Sequence, residues 1–600
     1  MRNSVRCAAL LAIAFLIPGL AAAQTEFGKL TGTVTDQSGA VLPGVSVTVK
    51  SVERATTRSS VTNAAGGYVF ASLVPGNYEL TVELAGFSTR QARTTVSVGA
   101  TVDLNFQMAV GAQSEVVTVL GESAAQINTS TQDISTTVNE SQIREMPTIT
   151  RNVYDLVVLS GQAHADPQSN RGTGYSINGA RSASTNVLLD GSANNDDFDA
   201  TVGQEVPLDS VQEFSVLTSN FSAQYGRASG GVVNVATKSG SNQFRGTVYE
   251  FFRNDALAAN TFDNNANEIE AGKFDRNQMG FSLGGPVVKD KVHFFTSLEY
   301  IKVNSTDTEI SWVPTPEFIA ASAAPTRAFF QAYGGSPATT GTVLTRSDVS
   351  AIVGGAAGAF NSLPAGMPIF ARVEKSLPTD AGGGDPQKQY QFVGRLDFAL
   401  SNATQAYIRY AYQDQKTDPG TNASSPYEGY DTGLTQNNHN LLGSLTHVFS
   451  QSFTSQTKVS WSKVANDQPL NGDPQPTLYM NPTTAVRLQG YRIAFPGYLP
   501  WNPGSAIPFG GPQKQLAFYQ DFNWVKGNHD LRFGGYYMHM ADDRTFGAYE
   551  NSVESLNTTS AALPSLDNFV LGRSGDTRAR STRTASRAAP TRRRSASRAS

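Results

Sequence analysis

Apolar and polar residues alternate with a period of two along most of this chain, and the alternation changes character near Phe244. Toward the N-terminus, Val45, Val47 and Val49 interleave with Ser46, Thr48 and Lys50, and Tyr78, Leu80, Val82 and Leu84 with Glu79, Thr81 and Glu83. Val102, Leu104, Phe106 and Met108 repeat the pattern. Period two predicts strands with one buried face. Gly- and Asn-bearing turns at 36–39, 65–67 and 75–77 separate them,. Residues 27–109 are therefore predicted to form a small β-sandwich that folds on its own apolar faces, with Tyr68, Phe70 and Tyr78 at core positions,. After Phe244 nine longer segments alternate, near 244–253, 277–287, 292–303, 389–399, 404–414, 437–449, 453–465, 515–525 and 529–541. In one, Ala406, Ile408, Tyr410 and Tyr412 oppose Tyr407, Arg409 and Gln413; in another, Phe518, Phe522 and Trp524 oppose Tyr519, Asp521 and Asn523. The odd-numbered connections span 254–276, 304–388, 415–436 and 466–514, whereas the even-numbered ones are three or four residues long. Segments of roughly ten residues with strictly sorted loops predict a transmembrane antiparallel β-barrel, tight turns at one rim and long loops at the other. A soluble sandwich has no reason to sort its loops this way.

Residues 111–240 connect the two regions. Glu115, Val116, Val117, Thr118 and Val119 form a short β-prone segment in a Gly/Gln/Ser linker, free of proline. It reads either as a strand leaving the sandwich or as a peptide that adds to the sheet of a partner. Pro147–Leu159 predicts a helix entered near Arg151-Asn152, and 211–218 and 231–237 predict strands,. Asp190, Asn194, Asn195, Asp196, Asp197 and Asp199 crowd into ten residues. The cluster reads as a solvated loop tip or a ligand-facing apex; calcium is an alternative for so many oxygens, but the spacing is not that of an EF-hand.

Composition narrows the field. Only 16% of the 600 residues are charged, 10% are aromatic, and there are 54 Gly. Beyond the first twenty residues no apolar run approaches the about 20 residues of a membrane helix. That opening stretch carries Arg2 and Arg6, an apolar core from Ala8 to Ile17, and small residues before a cleavage point between Ala23 and Gln24. It predicts a signal peptide over 1–23 and export. The single cysteine, Cys7, lies inside it. Thiolate metal sites, disulfides and cysteine nucleophiles are thereby excluded from the exported part. The six histidines lack metal-ligand spacing, and His539 points away from Met538 and Met540 in a strand,. The Gly-rich stretches at 352–358 and 381–384 lack the Lys-Ser/Thr of a phosphate loop, and no Gly-x-Ser-x-Gly elbow occurs,. No enzyme and no cofactor are expected. From Arg573 to Ser600 the chain has nine Arg and no Val, Ile, Leu, Met or aromatic residue. An aberrant or disordered tail is the expectation there, ahead of a functional basic segment; nucleic acid is not an expected partner.

The stretch LDSVQEFSVLTSNFSAQYGRASGGVVNVATKSGSNQFRGTVYEFFRN (208–254), with SINGARSASTNVLLDGSANNDDFD upstream, resembles the plug and first barrel strand of TonB-dependent outer-membrane receptors of the Oar-like group. PTITRNVYDLVVL matches that family's Pro-x-x-x-Arg-Asn-x-x-Asp-Leu pattern, with Ile149-Thr150 in place of its Asn-Gly turn. GTVTDQSGAVLPGVSVTV and GGYVFASLVPGNYELTVELAGF resemble the carboxypeptidase-regulatory-like sandwich, a fold shared with starch-binding domains. Carbohydrate binding is thus a minor alternative for residues 27–109. The resemblance implies a mainly β chain: sandwich, then an α/β plug in 111–240, then the N-terminal part of a barrel in 244–572. It implies that 115–119 is the TonB box, engaged by a TonB-like periplasmic energy-coupling protein. It places the 190–199 cluster at the plug apex, facing an extracellular substrate such as a siderophore, glycan or peptide, and surrounds the wall with outer-membrane lipid. Asp567–Gly572 resembles a segment of an extracellular loop. Barrels of the family have roughly 22 strands, so a truncated reading without transport function is a further expectation. A surface adhesin or secretion-linked barrel is the rival reading.

Overall fold

The computed structural model describes residues 27–573 except 112–114, 121–132, 149, 167–173, 223, 261, 263–264, 266–272, 336, 355–357, 379–387, 422–423, 469–477, 482–486, 497–508, 527–528, 547–551 and 556–561. The expected cleavage point at Ala23 and Gln24 and the tail beyond Arg573 lie outside the described residues.

The N-terminal alternation folds into two facing sheets. Strands β1 (Gly28–Asp36), β4 (Gly67–Leu73), β7 (Thr101–Asp103) and β8 (Phe106–Met108) make one. The other runs β3 (Thr57–Val61), β2 (Ser46–Ser51), β5 (Gly76–Glu83), β6 (Arg90–Val96) and β9 (Glu115–Leu120). Leu30, Val47, Leu80, Val82 and Val96 are fully buried between them, each contributing about 1.5–3 kcal/mol of transfer free energy. Tyr68, Phe70 and Tyr78 are core residues as expected. The Tyr68 hydroxyl donates to the Leu104 carbonyl at 2.6 Å. β1 passes so close to that residue that a Cβ at Gly32 would lie 1.9 Å from Leu104 O. The tyrosines are spent on packing, which leaves no aromatic platform at these positions for a sugar.

The middle unit is a four-stranded sheet ordered β10 (Ile134–Asn139), β12 (Val211–Ser219), β13 (Gly231–Thr237) and β11 (Thr185–Leu189), with Ser192–Ala193 pairing back onto β11. Asn139 closes a capping box on α1 (Glu140–Glu145). The helix expected after Asn152 is a 3₁₀ helix, Val153–Ser160, capped by the Asn152 side chain and ended by Gly161 at φ 70°,. Its Val153 and Leu156 pack with Val187, Phe214, Val216, Val233 and Val235. Val393 and Ala411, from the large sheet, belong to the same cluster. The middle unit is therefore packed directly on the inner face of the wall.

The wall is nine antiparallel strands paired in sequence order: β14 (Arg245–Asn254), β15 (Phe274–Val288), β16 (Val292–Pro314), β18 (Lys388–Ala399), β19 (Thr404–Thr417), β20 (Leu434–Ser450), β21 (Phe453–Gln468), β22 (Phe509–Lys526) and β23 (His529–Asp542). β17 (Pro368–Pro378) pairs with the far end of β16. The two faces have opposite chemistry. Gln389, Gln391, Arg409, Gln413, Asn438, Asn440, Gln456, Lys458 and Gln515 point inward and are buried. Phe281, Leu298, Leu396, Ile408, Leu441, Leu445, Val459, Trp461, Leu516, Phe518 and Phe533 point outward and are exposed. Apolar outside and polar inside is the arrangement of a wall whose solvent is hydrocarbon. Among the described residues no helix is long and apolar enough to cross a membrane.

The long connections do not behave as loops. β16 continues eleven residues past the predicted boundary at 303, leaves the wall and pairs with β17. With α2 (Pro316–Ala321), α3 (Ala324–Tyr333), α4 (Arg346–Val353) and α5 (Ala562–Leu571) it builds a cap. Trp312, Phe318, Phe330, Phe360, Phe370 and Phe569 form its core, and Arg492–Glu309 and Lys375–Asp431 ion pairs, each 2.6 Å, tie its segments together. Residues 567–572 thus join the long-loop rim, where the sequence expectation put them.

Candidate functional site: the joint between plug and wall

An Asp-Gly turn places a buried acid of the middle unit against the wall. Asp190 and Gly191 both have positive φ, 51° and 66°, as a type I′ hairpin requires. The turn aims the Asp190 carboxylate at the wall. Oδ1 accepts from Thr237 N at 2.7 Å, and Oδ2 accepts from Arg409 Nε at 2.9 Å. Arg395 Nη1 lies 3.8 Å from Oδ1, held by Asp397 and stacked 4.0 Å over the Tyr407 ring. Arg409 also donates to Asn440 Oδ1 at 2.7 Å and to Leu189 O at 3.3 Å. Lys458 Nζ donates to Gly191 O at 3.1 Å, on the other side of the turn. Three cations from three wall strands therefore converge on one turn, all of them buried.

The rest of the polar cluster divides. Asn194 and Asn195 are buried inside the middle unit. Asn195 Oδ1 accepts from Val187 N at 2.9 Å, and Asn194 Nδ2 donates to Gln204 O at 2.8 Å. Asp196 is fully buried and pairs with Arg544 at 2.7 Å, near the long-loop rim. Asp197 pairs with Arg227 and accepts from Gln515 Nε2 at 2.6 Å; Asp199 lies 3.7 Å from Arg544. The expectation of an exposed, substrate-facing tip is corrected for Asp190, Asn194, Asn195 and Asp196, because wall arginines and plug amides enclose their oxygens. Asp197 and Asp199 remain half-buried at the rim side. A second plug acid, Glu205, gathers amides: Asn152 Nδ2 at 2.6 Å, Gln389 Nε2 at 3.0 Å and Gln391 Nε2 at 3.3 Å. Sequence reading missed Arg395, Arg409, Lys458, Glu205 and Arg544. The available signal was a cation at an inward position of a wall strand, which must find a partner once water is excluded.

The sandwich closes the short-turn end. Asn242 N donates to Glu53 O at 2.9 Å, Ser72 and Thr454 hydroxyls meet at 3.1 Å, and Arg54 bonds Ser239. Gly240 lies so tightly under β16 that a Cβ there would be 2.3 Å from Phe294 O. On the plug side, Glu213 accepts from Val98 N with both oxygens, at 3.0 and 3.1 Å, and burial pushes its carboxyl up to about 8. Glu115–Leu120 pairs in parallel with β6 at the rim of the sandwich sheet, with Gln91 opposite Val116. It is the terminal strand of that sheet, so its other edge has no strand partner among the described residues.

Comparison with known proteins covers all three regions. An outer-membrane β-barrel domain model matches residues 236–597, a TonB-dependent receptor plug domain model 126–233, and a carboxypeptidase regulatory-like domain model 29–109. The TonB-dependent transporter Oar of Myxococcus xanthus is 28% identical over 293 residues, 46% of this chain and 27% of that protein. A probable TonB-dependent siderophore receptor, PirA of Acinetobacter baumannii, is 29% identical over 107 residues, 18% of this chain and 12% of its own length. Among solved structures, the outer-membrane transporter YddB of Escherichia coli aligns with a TM-score of 0.44 at 13% identity, over 70% of this chain and 50% of that one. The chain spans about a quarter or less of the curated relatives it matches.

Proposed function

The chain belongs to the outer-membrane β-barrel family, with a TonB-dependent receptor plug and a carboxypeptidase regulatory-like domain ahead of the barrel, and from that premise we propose that it serves in energised uptake of an extracellular substrate. It resides in the outer membrane. The observation that carries the reading is the pairing of a removable obstruction with a handle. The obstruction is the plug, clamped to the wall through Asp190, Arg409, Arg395 and Lys458. The handle is Glu115–Val119, an edge strand on the short-turn side. An edge strand supplies a row of main-chain donors and acceptors for a partner's strand. A TonB-like protein that adds there pulls along the chain toward residue 134, where β10 enters the plug sheet. Asp197 and Asp199, at the rim side of the plug, are the acids of the cluster best placed to meet substrate. The siderophore receptor among the relatives makes an iron chelate the first class to test, ahead of glycans and peptides. The reading is of a transport protein rather than an enzyme.

Deletion of 115–119 tests it. The variant should still fractionate with outer-membrane markers, while gene-dependent growth on the iron chelate falls to the level of cells treated with a protonophore. Undiminished uptake by the deletion variant, with surface display intact, would favour the adhesin or secretion-linked reading instead.

A further inference from the structure

The turn between β2 and β3 carries Arg54 into the junction of sandwich, plug and wall. The turn is fixed on three sides. Ala55, at φ 57°, donates its N–H to Ser51 O at 2.9 Å, Val52 N donates to Asn77 O at 2.9 Å, and Glu53 O accepts from Asn242 N at 2.9 Å. The adjacent acid does not neutralise the arginine. Glu53 Oε1 accepts from Asn77 N at 3.1 Å and from Asn77 Nδ2 at 2.8 Å, and its Oε2 accepts from Ser51 Oγ at 3.4 Å. The Arg54 guanidinium donates one Nη to the Ser239 hydroxyl of the plug. Its Nε is buried and has no hydrogen-bond partner among the described residues.

Two cavities share Phe27, Arg54, Val74 and Arg395 in their walls, each of about 30 Å³, room for about two waters,. One continues along the wall past His293 and Gln405, the other along the plug past Thr237 and Ser239. Val74, Ser239 and Gln405 are only half-buried, so the cavities are reached from the short-turn side. The two carboxylates in their lining are already paired, Asp397 with Arg395 and Asp190 with Arg409, each at 2.9 Å. Arg54 is left with no acid within ion-pair reach among the described residues. A buried donor of a charged group is costly to leave unpaired. A guanidinium is also a planar fork, matched to the oxygens of a carboxylate or a phosphate.

We propose that Arg54, with Ser239 and Thr237 of the plug and Arg395 of the wall, binds a small oxyanion that ties the three units together. The anion accepts from Arg54 Nε and from the Ser239 hydroxyl, whose oxygen is already taken by Arg54, while Arg395 adds a second positive charge to the same cavity. The inference does not rest on energised uptake. Its test uses purified full-length protein in neutral detergent and phosphate-free buffer, with affinity by calorimetry and hydrogen exchange as readouts. Inorganic phosphate and acetate are the probes, and chloride at matched ionic strength is the control. Wild type should bind at a single site and gain protection at 52–56 and 237–242; the tighter probe identifies the anion as a phosphate or a carboxylate. Arg54→Gln should keep the basal melting temperature and bind about tenfold more weakly or worse. Arg54→Lys, which keeps the charge and loses the fork, should fall between the two. Equal affinity in wild type and Arg54→Gln would overturn the proposal, as would chloride matching both probes or no binding of either. Should Arg54→Gln fail to fold, exchange in the wild type decides. Protection confined to 52–56 and 237–242 supports the site, and protection elsewhere or nowhere contradicts it.

Discussion

Arg409→Ala should weaken the plug–wall joint by about 3–5 kcal/mol, the usual range when one member of a buried ion pair is removed. The reason is the asymmetry of burial. Arg409 and Asp190 are both sealed from water, 0% and 1% exposed at the side chain, so the surviving carboxylate keeps its desolvation cost without its nearest cation. Arg395, at 3.8 Å, offsets only part of that loss, and Arg395→Ala alone should cost less. Replacing both partners, as Asp190→Asn with Arg409→Met, should recover much of the stability, because no charge is then stranded. Hydrogen exchange of 185–193 and 231–237 measures the effect. The same cells should admit large hydrophilic antibiotics more readily in the Arg409→Ala background. A double-mutant cycle with no coupling between Asp190 and Arg409 would show that the clamp does not hold the plug.

Trp312→Ala should unfold the cap while leaving the wall intact. Trp312 is fully buried and its indole Nε1 donates to Leu488 O at 2.8 Å, so the substitution opens a large cavity and orphans a carbonyl. Truncations of this size cost about 3–5 kcal/mol. The cap core is separate from the plug core, which confines the damage. Exchange protection should be lost across 312–378 and 562–571 and kept in β18 to β22. Trp312→Phe keeps most of the packing and loses only the hydrogen bond, about 1 kcal/mol. Simultaneous loss of protection in cap and wall would mean that the two are one cooperative unit.

The wall was legible in the sequence because its two solvents differ so sharply. Ile408 beside Arg409, or Phe518 beside Tyr519, can alternate only if one face meets lipid and the other a polar interior. The sandwich was legible for the related reason that one face of each strand is core. The cap was not. Residues 304–388 read as a structureless connection because its core side chains, Trp312, Phe318, Phe330, Phe360 and Phe370, follow no single period and come from strands and short helices in turn. Even so, Thr315-Pro316 carries an ordinary helix-start signal,. The polar cluster at 190–199 reads in the sequence as a solvated tip, whereas Asp190, Asn194, Asn195 and Asp196 are buried. The cation that neutralises Asp190 is 219 residues away, and no local pattern reports a partner at that distance. For 115–119 both readings from sequence survive in the fold, since the segment leaves the sandwich as a strand and also offers an edge.

The central claim is that this edge is where a TonB-like protein takes hold, and a cysteine placed on it tests that directly. Cys7 is the chain's one cysteine, so Val117→Cys in a Cys7→Ser background gives a single reporter. It would be paired in cells with cysteines introduced along the partner-binding strand of the TonB-like protein encoded in the same genome. The account predicts disulfide-linked adducts at Val117→Cys that increase when substrate is supplied, and few or none at Ser38→Cys, an exposed turn of the sandwich. Adducts at Ser38→Cys as abundant as those at Val117→Cys, or none at either position while uptake proceeds, would contradict it.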